Sequence, residues 1–181
     1  MTDDEKLGLV TSKNEDDFKL IPTEKPFEIT KNLKCHLLKY TSKYGMECGT
    51  GDFLFTDVWC IIDKKDNECG YAWWGTPKEK LDVKIITIAV FDEYQGNGAA
   101  SIAIDFLIDE ATKIEIKQLR AQVHFIRNDM EQRVVNMLCD RGFELADKNY
   151  RPKKITNFEE YLQENYTIIY LIKSLMSNNQ I

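Results

Sequence analysis

The period of apolar positions changes repeatedly along the chain, and each change marks an element. Phe18-Lys19-Leu20-Ile21 alternates and is cut by Pro22, which predicts a short first strand. From Thr30 to Tyr44, Leu33, Leu37, Leu38, Tyr40 and Tyr44 fall at helical spacing, between a Thr30 N-cap and Gly45 as a stop. Met46 to Gly51 reads as loop. Asp57 to Ile62 and Glu68 to Trp74 are β-branched or aromatic, and Lys64-Lys65-Asp66-Asn67 between them predicts a hairpin turn. Gly75 to Asp82, with Pro77, reads as a loop. Val83 to Phe91 is nearly continuously apolar, the mark of a strand buried on both faces.

A helix is predicted over Ser101 to Lys113, with Ile102, Phe106 and Ile108 to Ala111 facing the core. Leu119, Ala121, Val123 and Phe125 then alternate with Arg120, Gln122 and His124, which is strand spacing. Arg133 to Arg141 is amphipathic and stops at Gly142. Phe143 to Ala146 predicts a short strand. Lys148 to Asn165 is polar, with Pro152 and a local helix over Asn157 to Glu164, and Tyr166 to Leu171 predicts the last strand. Hairpin strands, then strand–helix–strand–helix–strand, then a final strand make an α+β order.

One junction in this pattern carries chemistry. Gln95-Gly96-Asn97-Gly98-Ala99-Ala100 lies between the strand ending near Val90 and the helix from Ser101. Glycines let a backbone approach a ligand and adopt positive φ. The free N–H groups of a first helical turn, backed by the helix dipole, then form an anion site suited to phosphate. A P-loop would need a lysine at the helix start, and none is near. A dinucleotide fold would need glycine where Ser101 stands, and a carboxylate ending the next strand. That strand ends in Val123-His124-Phe125.

Composition narrows the picture. The 181 residues fit one domain with a real core, and the 43% hydrophobic content is ordinary. The net charge of −6 suggests an acidic cleft until it is divided along the chain. Residues 1–17 carry −4 of it, leaving −2 on a nearly neutral body. Residues 1–16 therefore read as an acidic mobile tail, 17–175 as the domain and 176–181 as a second tail. No nucleic-acid footprint, membrane span or secretory leader is expected. Five scattered cysteines without a Cys-x-x-Cys pair predict reduced thiols, a cytoplasmic setting and no metal.

Gln95 to Ala100 matches (Gln/Arg)-x-x-Gly-x-(Gly/Ala) and so resembles the pyrophosphate loop of the GCN5-related N-acetyltransferases (GNAT). Ile88-Ala89-Val90-Phe91-Asp92-Glu93-Tyr94-Gln95-Gly96 is similar to that family's fourth strand and turn. Asn136 to Phe143 resembles its last core helix and Gly-Phe ending. The resemblance covers residues 17–175. It implies a central mixed, mostly antiparallel sheet flanked by helices, and acetyl transfer from acetyl-CoA to an amine, of a small molecule or a protein. A homodimer stays open.

The resemblance also implies roles. Gln95, Gly96, Asn97, Gly98, Ala99 and Ala100 would cradle the pyrophosphate. Ile88, Ala89 and Val90 would lie along the pantetheine arm, with backbone bonds from Ile88 and Val90. Asn128 would place its amide near that arm, although the spacing from Gly142 puts Glu131 at the family's usual asparagine. The usual catalytic groups are absent. Leu138 falls where many members carry a tyrosine acid, and Lys84 where some carry a glutamate base. His124 and Asp82 remain as candidate bases, the first because a histidine titrates near ~6.5, the second through a water. Tyr94 reads as a packing or surface aromatic and Cys139 as a small core hydrophobe. Only one of Trp73 and Trp74 can face a given cleft. The alternative is a CoA-binding or protein-interaction domain without catalysis.

Overall fold

The computed structural model describes residues 17–23, 53–124, 129–154 and 168–175, with the side chains of 53–56, 124 and 129–131 left aside. The expected tails, the Thr30–Tyr44 and Asn157–Glu164 helices, Phe125 and Asn128 lie outside the described residues.

Seven strands form one sheet: β1 (Phe18–Pro22), β2 (Phe53–Asp63), β3 (Glu68–Pro77), β4 (Val83–Val90), β5 (Gln118–His124), β6 (Glu144–Ala146) and β7 (Ile168–Ser174). Their order is β1-β2-β3-β4-β5-β7-β6. Every neighbouring pair is antiparallel except β4 and β5. A parallel pair needs a crossover, and helix α1 (Ala99–Lys113) supplies it; α2 (Asp129–Cys139) follows β5. The α+β class with a mixed, mostly antiparallel sheet is thus the observed one. β3 runs three residues into the stretch expected to be a loop, to Pro77, and Lys78 to Asp82 turn as expected. Gly75 is paired on both sides, with Thr56 and Ile85, and Pro77 is tolerated because it ends the strand.

The β2–β3 hairpin is closed by one carboxylate. Asp63 Oδ1 accepts from the N–H groups of Lys65 (2.8 Å) and Asn67 (2.9 Å), while Oδ2 accepts from Asn67 Nδ2 (2.9 Å). Asp147 does the same for the loop after β6, accepting from Asn149 N at 2.8 Å and Arg151 N at 3.0 Å. The amide bonds hold both carboxyls below the ordinary aspartate value, the Asn67 side chain leading for Asp63 and the Arg151 N–H for Asp147. A depressed folded pKa gives stability that is full above the unfolded value and lost as pH falls through the folded one. The thermal midpoint is therefore expected to fall once pH drops below about 4. An Asp63→Asn, Asp147→Asn double variant should show a flatter decline; a parallel decline would contradict this account.

The α1 face of the core matches the expected stripe in part. Ala111 is buried as expected and Phe106 and Ile108 pack half-buried against the core, but Ala99, Ala103, Ile104 and Leu107 form its buried centre and Ile102 stays half-buried outside it. Alanines four apart let the helix lie close to the sheet, and the bulky side chains flank that contact. Phe106 meets Trp59, and Trp59 meets Trp74, at ring distances of 5.5 and 4.9 Å. Val58, Cys60, Ile62 and Tyr71 form a second cluster on the other side of β2 and β3.

The end of α2 explains Gly142-Phe143. Phe143 N donates to Leu138 O at 3.1 Å and Gly142 N to Cys139 O at 2.9 Å, with Gly142 at φ 79°. These two bonds and the buried Leu138–Phe143 pair are a Schellman ending. Among the described residues no helix is long and apolar enough to cross a membrane.

Candidate functional site

Strands β4 and β5 run together and then part. Val83, Lys84, Ile85 and Ile86 pair with Gln118, Leu119, Arg120 and Ala121. Beyond that point β4 stays bonded only to β3, through Thr87–Trp73, Ile88–Ala72, Ala89–Tyr71 and Val90–Gly70. β5 stays bonded only to β7, through Gln122–Tyr170, Val123–Ile169 and His124–Ile168. Among the described residues a wedge-shaped gap with unpaired backbone on both rims results. The expectation that Val83 to Phe91 is buried on both faces is corrected: Val83 and Ile86 are buried, while Lys84, Ile85 and Thr87 to Phe91 are half-buried.

The alternation of strand amides decides which groups face the gap. Phe91 N donates to Cys69 O of β3 at 2.8 Å. With a period of two, Ala89 gives its N–H to β3, while Ile88 and Val90 turn theirs toward the gap. Two donors about 7 Å apart therefore line the β4 rim.

Asp92–Tyr94 forms one short 3₁₀ turn after β4, and Gln95 fastens it. Gln95 Nε2 donates to Val90 O at 3.1 Å and to Asp92 Oδ1 at 3.0 Å. Gly96 follows at φ 77° and Gly98 at φ 93°, both in the left-handed region that favours glycine. Gly96 and Asn97 are exposed, Gly98 and Ala100 half-buried, and Ala99 buried. Gly98 is the N-cap of α1, with no side-chain cap and no acidic residue in the first turn. The first intrahelical bond runs from Ile102 N to Gly98 O at 3.1 Å. The amides of Ala99, Ala100 and Ser101 are therefore left as donors at the positive end of a 15-residue helix. An uncapped helix start of this kind, without acidic residues in its first turn, is suited to an anion.

Arg141, which the sequence reading did not single out, holds this helix start. Its Nε donates to Asp105 Oδ1 at 2.6 Å and its Nη2 to Asp105 Oδ2 at 2.8 Å. Nη2 also donates to Ser101 Oγ, and Nη1 to Met137 O at 3.1 Å. A two-pronged guanidinium–carboxylate pair is geometrically specific. It ties the end of α2 to the first turns of α1, and the pair is neutral overall. Its partners lie 36 and 40 positions away, so no local pattern could have shown it.

The remaining candidates fall in different places. His124 ends β5 on the rim of the gap; its side chain lies outside the described residues, as does Asn128. Asp82 precedes β4 at the closed end of the wedge, about 20 Å along the strand from Ile88. Its Oδ2 pairs with Lys117 Nζ at 3.1 Å, and this bond leads in holding its carboxyl below the ordinary value. Its carbonyl also accepts from Lys117 N at 2.9 Å. The structure thus does not bring Asp82 together with the loop. Leu138 is buried in the core. Lys84 Nζ donates to buried Thr76 Oγ1 at 2.6 Å and lies 5.6 Å over the Trp74 ring. Trp74 is itself core, its Nε1 donating to Asp57 Oδ2 at 2.7 Å, while Trp73 is half-buried against the second cluster. Tyr94 packs half-buried on the core, as expected. Cys139 is exposed rather than core; partial desolvation of its sulfur, then Asp140, raises the thiol pKa.

The fold these features define is that of the GCN5-related, acyl-CoA N-acyltransferases. No known family model matches the chain, and no curated protein matches it in sequence. Solved structures do. A GNAT-family acetyltransferase of Staphylococcus aureus Mu50 superposes with a TM-score of 0.58, at 11% identity, over 88% of this chain and 99% of its own. Spermidine N-acetyltransferase of Vibrio cholerae, solved with CoA and spermine, gives 0.56 at 12% identity over 90% and 97%. The ribosomal-protein-S18-alanine N-acetyltransferase of Escherichia coli gives 0.54 at 16% over 91% and 98%.

Proposed function

We propose that this chain is an acetyl-CoA-dependent N-acetyltransferase. The observation that carries the proposal is the uncapped start of α1, three free amides beside the place where β4 and β5 part, on an acyltransferase fold. The loop Gln95–Ala100 would hold the pyrophosphate through backbone N–H groups, and the Ile88 and Val90 edges would hold the pantetheine arm. Asn128 would add its amide there. Ala89 would line the arm by contact, since its amide belongs to β3. Acetyl-CoA supplies an activated acyl group as a thioester.

In the ternary complex the amine nitrogen attacks the acetyl carbon, the C–S bond breaks, and the proton lost by the amine ends on the sulfur. A backbone N–H on the β4 rim is placed to hold the carbonyl oxygen as it gains charge. An alkylamine of pKa near ~10.4 must first lose a proton. His124, at the rim, is the proposed base. Buried Leu138 cannot protonate the leaving thiolate, so that proton travels through water or the acceptor.

The acceptor is not chosen by the fold. Superposable structures serve spermidine in one case and a ribosomal protein's alanine in another. The test is thiol release from acetyl-CoA across polyamines, amino acids, aminoglycosides and peptide N-termini. Acetylation of at least one amine is expected. His124→Ala should slow it about 100-fold and remove the limb of the pH profile near ~6.5. An unchanged rate and profile would dismiss His124. The second reading, a CoA-binding domain without catalysis, is favoured by the engaged Lys84 and the buried Leu138. It predicts thermal stabilisation by CoA with no acetylated product from any amine.

A further inference from the structure

At the closed end of the wedge, away from the loop, lies an open groove of about 740 Å³. Lys80, Asp82, Val83, Lys117, Gln118, Arg120, Asn149, Tyr150 and Arg151 line it. Its charge is the reverse of the chain's. Four cations face one carboxylate, and that carboxylate is already bonded to Lys117, whereas the whole chain carries −6.

Arg120 is the group that needs explaining. It is 9% exposed, and a buried charge is costly unless paired. Among the described residues no carboxylate forms an ion pair with it, Asp82 acting on it only at longer range. Its Nε donates to Gln118 Oε1 at 2.7 Å, and its guanidinium carbon sits 4.5 Å from the centre of the Tyr150 ring. Neither contact uses the Nη1 and Nη2 hydrogens, which have no acceptor among the described residues and border the groove. Such a planar fork matches two oxygens of one anion.

The wall around Arg120 is built to hold it still. Asp147 folds Asn149 and Arg151 back through their amides. Between them Tyr150 is left-handed at φ 57°, a conformation with a steric cost for a tyrosine. Its ring meets Tyr170 edge-on at 5.3 Å, and its hydroxyl accepts from Gln122 Nε2 at 2.5 Å. A strained tyrosine is thus fixed over a buried arginine that has no ion-pair partner among the described residues, with exposed Lys80 and Arg151 beside it.

We propose that this groove binds a phosphate-bearing small molecule, with two phosphate oxygens on the Arg120 fork and Lys80, Lys117 and Arg151 around the charge. One carboxylate would leave most of the excess charge unmatched, whereas a phosphate group carries about −1.5 to −2 and three acceptor oxygens. The site is separate from the α1 loop. Val83 and Val90 stand at opposite ends of β4, about 23 Å apart.

The experiment is calorimetric titration with inorganic pyrophosphate at low salt, on the full chain already saturated with CoA so that the α1 loop is filled. Binding is expected near one pyrophosphate per chain, weakening steeply as salt is raised. A Lys80→Gln, Arg151→Gln double variant, altering exposed side chains only, should melt like the parent and bind about tenfold more weakly, or about 1.4 kcal/mol. Arg120→Gln should bind weaker still, and the double variant keeps the test decisive should Arg120→Gln fail to fold. No binding at millimolar pyrophosphate, equal affinity in the double variant, or tighter binding of citrate than of pyrophosphate would each overturn the proposal. So would competition by CoA, which would place the pyrophosphate on the α1 loop instead.

Discussion

Gly98→Glu is expected to abolish CoA binding while the protein still folds. Gly98 is the N-cap of α1 at φ 93°, and the amides of Ala99, Ala100 and Ser101 behind it have no protein acceptor in the helix. A glutamate there acts twice. Its carboxylate can accept from those amides as a cap does, and it places negative charge at the positive end of the dipole. A diphosphate would have to displace a group that satisfies the same donors and repels it. The affinity loss should be at least about 100-fold, roughly 2.7 kcal/mol. The left-handed conformation costs a non-glycine residue about 1–2 kcal/mol, so the apo variant should melt only a few degrees lower. Gly98→Ala carries that strain without the charge and should keep most of the affinity. Calorimetry with CoA on both variants checks this. Equal CoA affinity in Gly98→Glu and the parent would remove the loop as the pyrophosphate site.

The sheet and its crossover helix could be read from the chain because their signals are local. The apolar run from Val83, the glycines at 96 and 98 and the stop at Gly142 each act through their own backbone. The gap could not be read this way. Val83 to Val90 has the composition of a strand buried on both faces, and the gap arises because β5 pairs with β7 and leaves β4 after Ala121. The buried centre of the α1 stripe escaped the sequence for a related reason. Isoleucine and phenylalanine outrank alanine on any hydrophobicity scale, yet close approach to a sheet selects the alanines. Asp82 shows the same limit at the candidate site. A carboxylate near a strand looks available to water, and only the register reveals Lys117 beside it. Arg141 and Arg120 owe their importance to partners distant in sequence or to missing ones, neither of which a local pattern records.

Gly70→Ala should be the most damaging conservative change in the described sheet, for a steric reason that adds to the conformational one. Gly70, at φ 159° where L side chains are rare, lies in β3 between Ile61 of β2 and Val90 of β4. A Cβ added there would stand 2.2 Å from Ala89 O and 2.9 Å from Val90 Cα. Both are backbone atoms of the neighbouring strand, so no rotamer can relieve the contact and one strand must move. Gly142 makes the contrast. Its φ of 79° is left-handed, but the only close atom is the end of the flexible Lys173 side chain at 3.0 Å. Gly142→Ala should therefore cost about 1–2 kcal/mol, and Gly70→Ala about 3 kcal/mol or more. For a chain of this size the second figure corresponds to a midpoint lowered by roughly 10 °C. The strand that must yield is the rim of the gap, and Val90 also anchors the loop through Gln95. Gly70→Ala should thus weaken CoA binding as well, which Gly142→Ala should not. Thermal melts of the two variants with and without CoA decide it. A Gly70→Ala midpoint within about 2 °C of the parent would mean that β3 and β4 are not packed as closely as the structure has them.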